Sequence, residues 1–231
     1  MALTTVFLDA GGVIVTPNWD RVSAALAAHG VEVSAGALFA ADPLVRRDID
    51  LGLGGAASDQ QRGWLYFNRI LDHCGVSRSG ATDAALDDLQ AYHAVHNLWE
   101  SIPGGVPETL DALHAMGLKL VVVSNANGKL KSLLERIGLA RRFDVMLDSA
   151  EEGVEKPDPR LFQLALDRSR STPGETVHVG DLYHVDVEGA RSAGIDAILL
   201  DTADLYGSYD CVRIKDIREL PGVLKEIERG G

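Results

Sequence analysis

An apolar run early in the chain, Thr5-Val6-Phe7-Leu8, is followed directly by Asp9-Ala10-Gly11-Gly12-Val13. A continuous apolar, β-branched run predicts a strand that is buried on both faces of a parallel sheet. The paired glycines indicate a backbone that makes an unusual turn near a ligand. Asp9, at the end of this strand, is a candidate nucleophile or metal ligand. The alternative is that Asp9 only forms a turn or caps a helix.

Further apolar runs of this kind alternate with helical patterns. The runs cover residues 118–123, 143–147, 176–179 and 195–200, with a candidate edge strand at 211–214. The helical patterns cover residues 105–116, 127–137, 158–168 and 187–193. This alternation predicts βαβ units, and hence an α/β fold whose core is a three-layer, Rossmann-like parallel sheet.

Residues 17–98 interrupt the alternation, because they contain no clear strand. They predict four helices, at 19–29, 35–47, 59–74 and 83–96. The stretch is too long for one crossover connection, so we expect an inserted helical cap domain that closes over an α/β core of residues 1–16 and 99–231. The alternative is that these helices cover one face of the sheet. Trp64, Tyr66 and Phe67 are expected to pack the core of the cap.

The composition restricts the partners of the protein. The chain has 231 residues, 46% of them hydrophobic, and a net charge of −12. Such acidity disfavours nucleic acid and anionic lipid as partners, and we expect neither a membrane span nor a signal peptide. Cys74 and Cys211 match no metal spacing and are predicted to be buried, reduced thiols, which favours a cytoplasmic protein. Both a monomer and a homodimer remain open.

Ligands of open parallel sheets bind beyond the carboxyl ends of the strands, so the residues that follow each predicted strand are candidates for a site. Ser124 and Asn125 follow the second run. Ser124 can hold a phosphate oxygen, or it can cap the helix predicted to start near residue 127. Lys156 lies in a loop made rigid by two nearby prolines. The alternative for Lys156 is a solvated surface residue.

Two aspartates follow the strand at 176–179, within Gly180-Asp181-Leu182-Tyr183-His184-Val185-Asp186. Carboxylates at one edge of a sheet repel each other unless a cation lies between them. Their hard oxygen atoms suit Mg²⁺, which usually takes one or two carboxylates and keeps several waters. The alternative for Asp186 is that it caps the following helix.

Taken in order, Asp9, Ser124, Lys156 and the pair Asp181 and Asp186 resemble the four motifs of the haloacid dehalogenase superfamily. Residues 102–110 and 154–159 are similar to the branch that carries a helical cap after the first motif. The resemblance covers residues 4–16 and 99–201, and the cap matches in position and helical character only. It implies a Mg²⁺-dependent hydrolase, in particular a phosphatase of small phosphorylated metabolites.

The resemblance also implies a role for each motif residue. Asp9 would attack phosphorus and become an aspartyl phosphate. Asp9, the backbone carbonyl of Gly11 and Asp181 would hold the Mg²⁺, and Asp186 would complete the metal site by supporting its water shell.

The phosphate-binding residues implied by the resemblance are Ser124, Asn125 and Lys156. Lys156 would also offset the repulsion between the anionic Asp9 and an anionic phosphate, which amounts to several kcal/mol at intermediate dielectric.

The chain departs from the family at Gly11, where phosphatases usually carry a second aspartate that acts as general acid and base. Such help is typically worth about 10²–10⁴ in rate. The substrate could be an acyl or aryl phosphate, whose leaving group needs no proton. Alternatively, a cap residue, His184 or Tyr183 could supply the proton, and histidine titrates near neutrality.

Two other functions remain as alternatives: a 2-haloacid dehalogenase and a catalytically weak or inactive binding or regulatory protein. Dehalogenating relatives usually have a bulky aromatic residue in place of Gly11 and replace the aspartate at the position of Asp181. The complete set of motif residues also argues against an inactive scaffold. Phosphonate-cleaving relatives use a cap lysine, which residues 17–98 do not contain, so we exclude that chemistry.

Overall fold

Each predicted apolar run forms a strand of one six-stranded parallel sheet, with bounds that differ from the predicted ones by at most two residues. Its strands are β1 (Thr5–Leu8), β2 (Lys119–Ser124), β3 (Val145–Asp148), β4 (Thr176–Gly180), β5 (Asp196–Leu200) and β6 (Val212–Ile214). Their order across the sheet is β3-β2-β1-β4-β5-β6, and every neighbouring pair is parallel. The computed structural model describes residues 3–52 and 59–230. The predicted α/β fold and the predicted edge strand are both confirmed.

Ten α-helices are found in the described residues. They are α1 (Trp19–Ala28), α2 (Ala35–Asp50), α3 (Asp59–His73), α4 (Gly80–His96), α5 (Val106–Ala115), α6 (Leu130–Arg136), α7 (Ser149–Glu152), α8 (Pro159–Ser169), α9 (Glu188–Ser192) and α10 (Leu220–Gly230). The sequence did not predict α7 or α10. Helix α8 begins as expected, because Asp158 accepts a hydrogen bond from Arg160 N at 2.9 Å and Pro159 takes the first helical position.

Both faces of the sheet are covered, which explains why its strands are continuously apolar. All four residues of β1 are buried. Phe7 belongs to a buried cluster with Val121, Leu147 and Phe162 of α8. Since side chains alternate along a strand, the neighbours of Phe7 point to the opposite face, and they are buried as well. The sheet is therefore a rigid platform whose strand ends can hold functional side chains.

The chain divides into two compact units, residues 1–16 with 101–231, and residues 17–100. The second unit contains α1 to α4 and has a core of its own, in which Tyr66 and Phe67 are buried as predicted. Tyr66 donates a hydrogen bond of 2.6 Å to Asp42 inside this unit. The side chain of Trp64 lies outside the described residues. A cap function for the helical unit remains a prediction.

The structure bears on the expectations about a membrane span and about the two thiols. Among the described residues, no helix combines the length and the apolar character needed to cross a bilayer. Cys74 and Cys211 are free, but both are half-buried. The prediction that their thiols are buried is therefore wrong.

Candidate active site

An ion-paired lysine connects two aspartates at the carboxyl edge of the sheet. Lys156 Nζ lies 2.9 Å from Asp9 Oδ1 and 2.7 Å from Asp186 Oδ1. Lys156 is only 2% exposed, so its interpretation as a solvated surface residue is wrong. Asp9 follows β1 directly and also accepts a hydrogen bond of 2.7 Å from Ala10 N. Three segments that are distant in sequence therefore meet in one buried ion-pair network.

The backbone of Lys156 is held by the side chain of Asn125. Asn125 Nδ2 donates to Lys156 O at 2.9 Å, and Lys156 N donates to Asn125 Oδ1 at 2.8 Å. These two bonds join the end of β2 to the lysine loop and use both polar atoms of the amide. Phosphate binding by Asn125 remains a prediction. What the side chain does in this structure is fix the position of Lys156.

Ser124 is the last residue of β2 and is buried. Helix α6 begins at Leu130, later than predicted, and its first amide donates to Asp148 Oδ2 at 3.1 Å. The alternative that Ser124 caps this helix is therefore wrong, because an aspartate at the end of the neighbouring strand β3 does so instead. Ser124 stands at the same edge of the sheet as Asp9.

Asp186 is fully buried and accepts hydrogen bonds on both carboxylate oxygens. Oδ1 accepts from Lys156 Nζ at 2.7 Å and from His178 Nε2 at 3.1 Å. Oδ2 accepts from the backbone amides of Asp181 and Leu182 at 3.1 and 3.0 Å. The alternative that Asp186 caps α9 is wrong, since its oxygens bind the preceding loop and the lysine. Asp186 thus fixes both this loop and Lys156.

The sequence analysis did not single out His178, because it lies inside the apolar run that forms β4. Its side chain has no exposed surface. A polar residue in an otherwise apolar strand was the signal that could have identified it. The sequence alone, however, did not reveal Asp186 as its partner.

The charges of the network follow from burial and from pairing. Burial is the largest influence on Asp9 and raises its pKa; Asp186 raises the pKa as well, while Lys156 and His178 lower it, and the net effect is a raised pKa. For Asp186, burial also acts upwards, but Lys156 and His178 outweigh it and hold the pKa below its ordinary value. Burial would lower the pKa of Lys156, yet the two carboxylates raise it above its ordinary value. At neutral pH, Lys156 is therefore a cation and Asp186 an anion.

The donor set at this edge fits a divalent cation. Carboxylate oxygens of Asp9, Asp181 and Asp186 lie within 4.8 Å of one another, and all three residues are buried. Lys156 supplies one positive charge against three carboxylates, so the cluster lacks positive charge. The raised pKa of Asp9 is consistent with this deficit. Hard oxygen ligands of this kind suit Mg²⁺.

Gly11 follows Asp9 by two residues and is half-buried in the turn after β1. It forms an isolated bridge with Val15, and Gly12 N donates to Val15 O at 2.8 Å. The unusual turn required by the paired glycines falls on Gly12, which has a φ of 81°. Gly11 itself does not have a positive φ.

Tyr183 and His184 lie in a π-helical turn, Tyr183–Val187, that precedes α9. His184 Nδ1 is 2.9 Å from Glu188 Oε2, and the ring centroid of Tyr183 is 4.4 Å from that of Tyr209. Neither Glu188 nor Tyr209 belongs to the network around Asp9. Proton donation by His184 or Tyr183 remains a prediction.

Gly180 allows the close approach of Asp186, which suggests a simple test of this packing. A Cβ atom at position 180 would overlap the side chain of Asp186, whose bonds leave it no room to shift. We expect Gly180→Ala to destabilise the protein by about 1–3 kcal/mol, as overpacking typically does, in urea unfolding. Gly104→Ala is the control, because a Cβ there meets no atom within 4 Å. Equal stabilities of the two variants would contradict the expected overlap.

Comparison with known proteins identifies the family. The profile of the haloacid dehalogenase-like hydrolases matches residues 3–194, and the chain therefore belongs to this family of hydrolases. A bovine relative, haloacid dehalogenase-like hydrolase domain-containing protein 3, is 34% identical over 179 residues, which are 75% of this chain and 70% of the relative. The ribulose-1,5-bisphosphate 5-phosphatase of Halopiger xanaduensis is 36% identical over 162 residues, 69% of this chain and 66% of that protein.

A solved structure supports the fold independently. The HAD-hydrolase YfnB from Bacillus subtilis, determined bound to magnesium, matches with a TM-score of 0.69 over 97% of this chain and 99% of that chain. At 16% sequence identity, this likeness concerns the fold alone. It agrees with the parallel sheet and with the α/β class of the chain.

Proposed function

We propose that this protein is a Mg²⁺-dependent phosphatase of small phosphorylated metabolites, with Asp9 as its nucleophile. The observation that carries the proposal is the 2.9 Å contact between Lys156 Nζ and Asp9 Oδ1 inside a buried network. A cation at this distance favours the ionised form of Asp9 and can also attract a phosphoryl oxygen. The phosphatase relative from Halopiger xanaduensis supports the same class of reaction.

The proposed reaction proceeds by two displacements at phosphorus. An oxygen of Asp9 attacks phosphorus, the bond to the ester oxygen breaks, and its electron pair leaves with that oxygen. Water then attacks the aspartyl phosphate, which releases phosphate and restores the carboxylate of Asp9. Because Gly11 offers no proton, the leaving oxygen departs as an anion, which takes a proton from solvent only if it is basic, and the attacking water releases a proton to solvent.

The chain supplies the groups that orient these steps. Lys156, held by Asn125 and Asp186, stays beside Asp9 throughout. Ser124, at the end of the adjacent strand β2, is proposed to hold a phosphoryl oxygen.

Asp9 and Asp181 are proposed to hold Mg²⁺ together with the carbonyl of Gly11. When bound, Mg²⁺ would supply positive charge that offsets the charge of the phosphoryl oxygens. Asp186 is proposed to stabilise this arrangement, since both of its oxygens already accept hydrogen bonds.

The missing side chain at Gly11 restricts the substrates. Without a general acid, the enzyme would favour leaving groups that depart as stable anions, such as a phenolate or a carboxylate. We expect Mg²⁺-dependent phosphate release from p-nitrophenyl phosphate and acetyl phosphate to exceed that from glycerol phosphate by about 10² or more, which is the value typical of general acid help. Release of phosphate is measured with Mg²⁺ and with chelator.

The same screen also tests the two alternative functions, and it includes 2-chloropropionate as a substrate for a dehalogenase. Halide release from 2-chloropropionate in the presence of chelator would show that the protein is a dehalogenase and not a phosphatase. Stoichiometric binding of phosphorylated compounds without any turnover would favour a binding or regulatory protein.

A further inference from the structure

We propose that His178 is a positioning residue for this reaction: its hydrogen bond from Nε2 to Asp186 fixes the carboxylate that holds Lys156 beside Asp9. The inference rests on the proposed function, because it concerns the same site. The hydrogen bond of His178 reaches Asp186, so the histidine acts through that carboxylate.

The position of His178 in the fold does not require a histidine for packing. It lies in the middle of β4, between the buried residues Val177 and Val179. Its ring meets Phe162 of α8 edge-on, with centroids 5.0 Å apart and an interplanar angle of 81°. An apolar side chain of similar volume would fill this place without burying two nitrogen atoms.

The surroundings of the ring determine which nitrogen carries the proton. Nε2 lies 3.1 Å from Asp186 Oδ1, and an ionised carboxylate only accepts hydrogen bonds, so we infer that Nε2 is protonated. Nδ1 is buried and has no hydrogen-bond partner in the described part of the chain. A neutral ring with a bare Nδ1 fits both observations. An unpaired buried nitrogen costs stability. The presence of a histidine at this position therefore points to a function of its other nitrogen.

Because of the bond from His178, Lys156 shares the oxygen Oδ1 of Asp186 with a second donor. Oδ1 of Asp186 accepts from Lys156 and from His178, while Oδ2 accepts from two backbone amides. Without the histidine, Oδ1 would face Lys156 alone and attract its ammonium group more strongly. Because Lys156 Nζ is also 2.9 Å from Asp9 Oδ1, a shift towards Asp186 moves the ammonium group away from the nucleophile.

Three substitutions separate the hydrogen bond from the packing of the ring. The side-chain amide nitrogen of glutamine can reach the place of Nε2, that of asparagine is too short, and leucine has no donor. Loss of a partner that supports a site typically costs about 10- to 100-fold in activity. We expect His178→Leu and His178→Asn to lower kcat on p-nitrophenyl phosphate by this factor with little change in KM. We expect His178→Gln to restore most of kcat.

Thermal unfolding distinguishes positioning from a merely structural role. His178→Leu removes the unpaired nitrogen Nδ1 together with the bond to Asp186, which keeps three other donors, so its Tm should stay close to that of the wild type. The control is Phe162→Leu, which disturbs the packing against the same ring but keeps the hydrogen bond, and should lower Tm while kcat is retained. Full kcat in His178→Leu, or an equal loss of kcat in Phe162→Leu, would overturn the inference.

Two further measurements need no turnover, so they separate this inference from the proposed function. In ¹⁵N spectra of histidine-labelled protein, the ring whose signals vanish in His178→Gln should have a protonated Nε2 and a bare Nδ1. A crystal structure of His178→Leu should show Lys156 Nζ farther than 2.9 Å from Asp9 Oδ1.

These measurements have opposite consequences for the two proposals. A proton on Nδ1, or an unchanged distance, would overturn the inference even when the wild type hydrolyses phosphate esters. If both measurements give the expected results but the wild type hydrolyses no phosphate ester, the proposed function is wrong. The positioning of Lys156 by His178 is then still supported.

Discussion

Asp9→Asn is expected to abolish Mg²⁺-dependent phosphate release, with a loss in kcat of about 10⁴-fold or more, as for nucleophiles of other covalent enzymes. The amide is uncharged and a poor nucleophile, and it loses the attraction to Lys156 at 2.9 Å. Steady-state kinetics with p-nitrophenyl phosphate measure this loss. Full metal-dependent activity in this variant would refute the nucleophile assignment.

The stability of the same variant is expected to move in the opposite direction. Burial raises the pKa of Asp9 in the folded protein, so its ionised form opposes folding above the ordinary pKa of a carboxyl group. In the absence of metal, Asp9→Asn should therefore have a Tm no lower than that of the wild type. Lost activity combined with retained stability would show that the aspartate serves chemistry and not folding.

Asp201→Asn is the matched control, because Asp201 is buried directly after β5 at the same edge of the sheet. Its carboxylate accepts from the amides of Leu205 and Tyr206 and from Arg213. The substitution should lower Tm, since it weakens these bonds, and leave kcat near the wild-type value.

Gly11→Asp is expected to raise kcat/KM on alkyl phosphates such as glycerol phosphate by about 10²-fold, the lower end of the range for general acid catalysis. Position 11 has no positive φ, so the backbone can accept an aspartate there without the strain that a side chain at Gly12 would cause. Activity on p-nitrophenyl phosphate should change little, because its leaving group needs no proton.

Gly11→Asn separates acid catalysis from the effect of added bulk. It has the size of aspartate but no acidic proton, so it should give no increase on alkyl phosphates. The dependence of rate on the pKa of the leaving group should be steep for the wild type and shallow for Gly11→Asp. A dependence that is already shallow in the wild type and unchanged in Gly11→Asp, with the turn intact in a crystal structure, would indicate that another acid such as His184 already serves.

The sequence predicted the fold well where local pattern decides it, and less well where distant residues do. Strand β1 has the predicted bounds, because its apolar run ends abruptly at Asp9. Helix α6 begins at Leu130, since the carboxylate of Asp148 on β3 binds its first amide. Helix α10 was missed although Leu220, Val223, Leu224 and Ile227 have helical spacing, so its signal was present in the sequence.

The candidate site shows the same division. Strand ends predicted which segments contribute to it, because the carboxyl ends of parallel strands share one edge. The burial of Lys156 and the bonds of His178 could not be predicted, since both depend on Asp186 after the sheet has formed. Phosphate binding by Asn125 remains a prediction, and the sequence did not reveal that its amide holds the backbone of Lys156.

The central place of β1 in the sheet has a consequence for the order of events during synthesis. Thr5 pairs with Lys119 on one side and with Thr176 on the other, so both partner strands leave the ribosome after the whole helical unit. Contacts between such distant residues form slowly, because a long stretch of chain must first be closed into a loop. Strand β1, which Asp9 follows, is therefore synthesised early but gains its partner strands late. During this interval the nascent protein exposes an unpaired apolar segment.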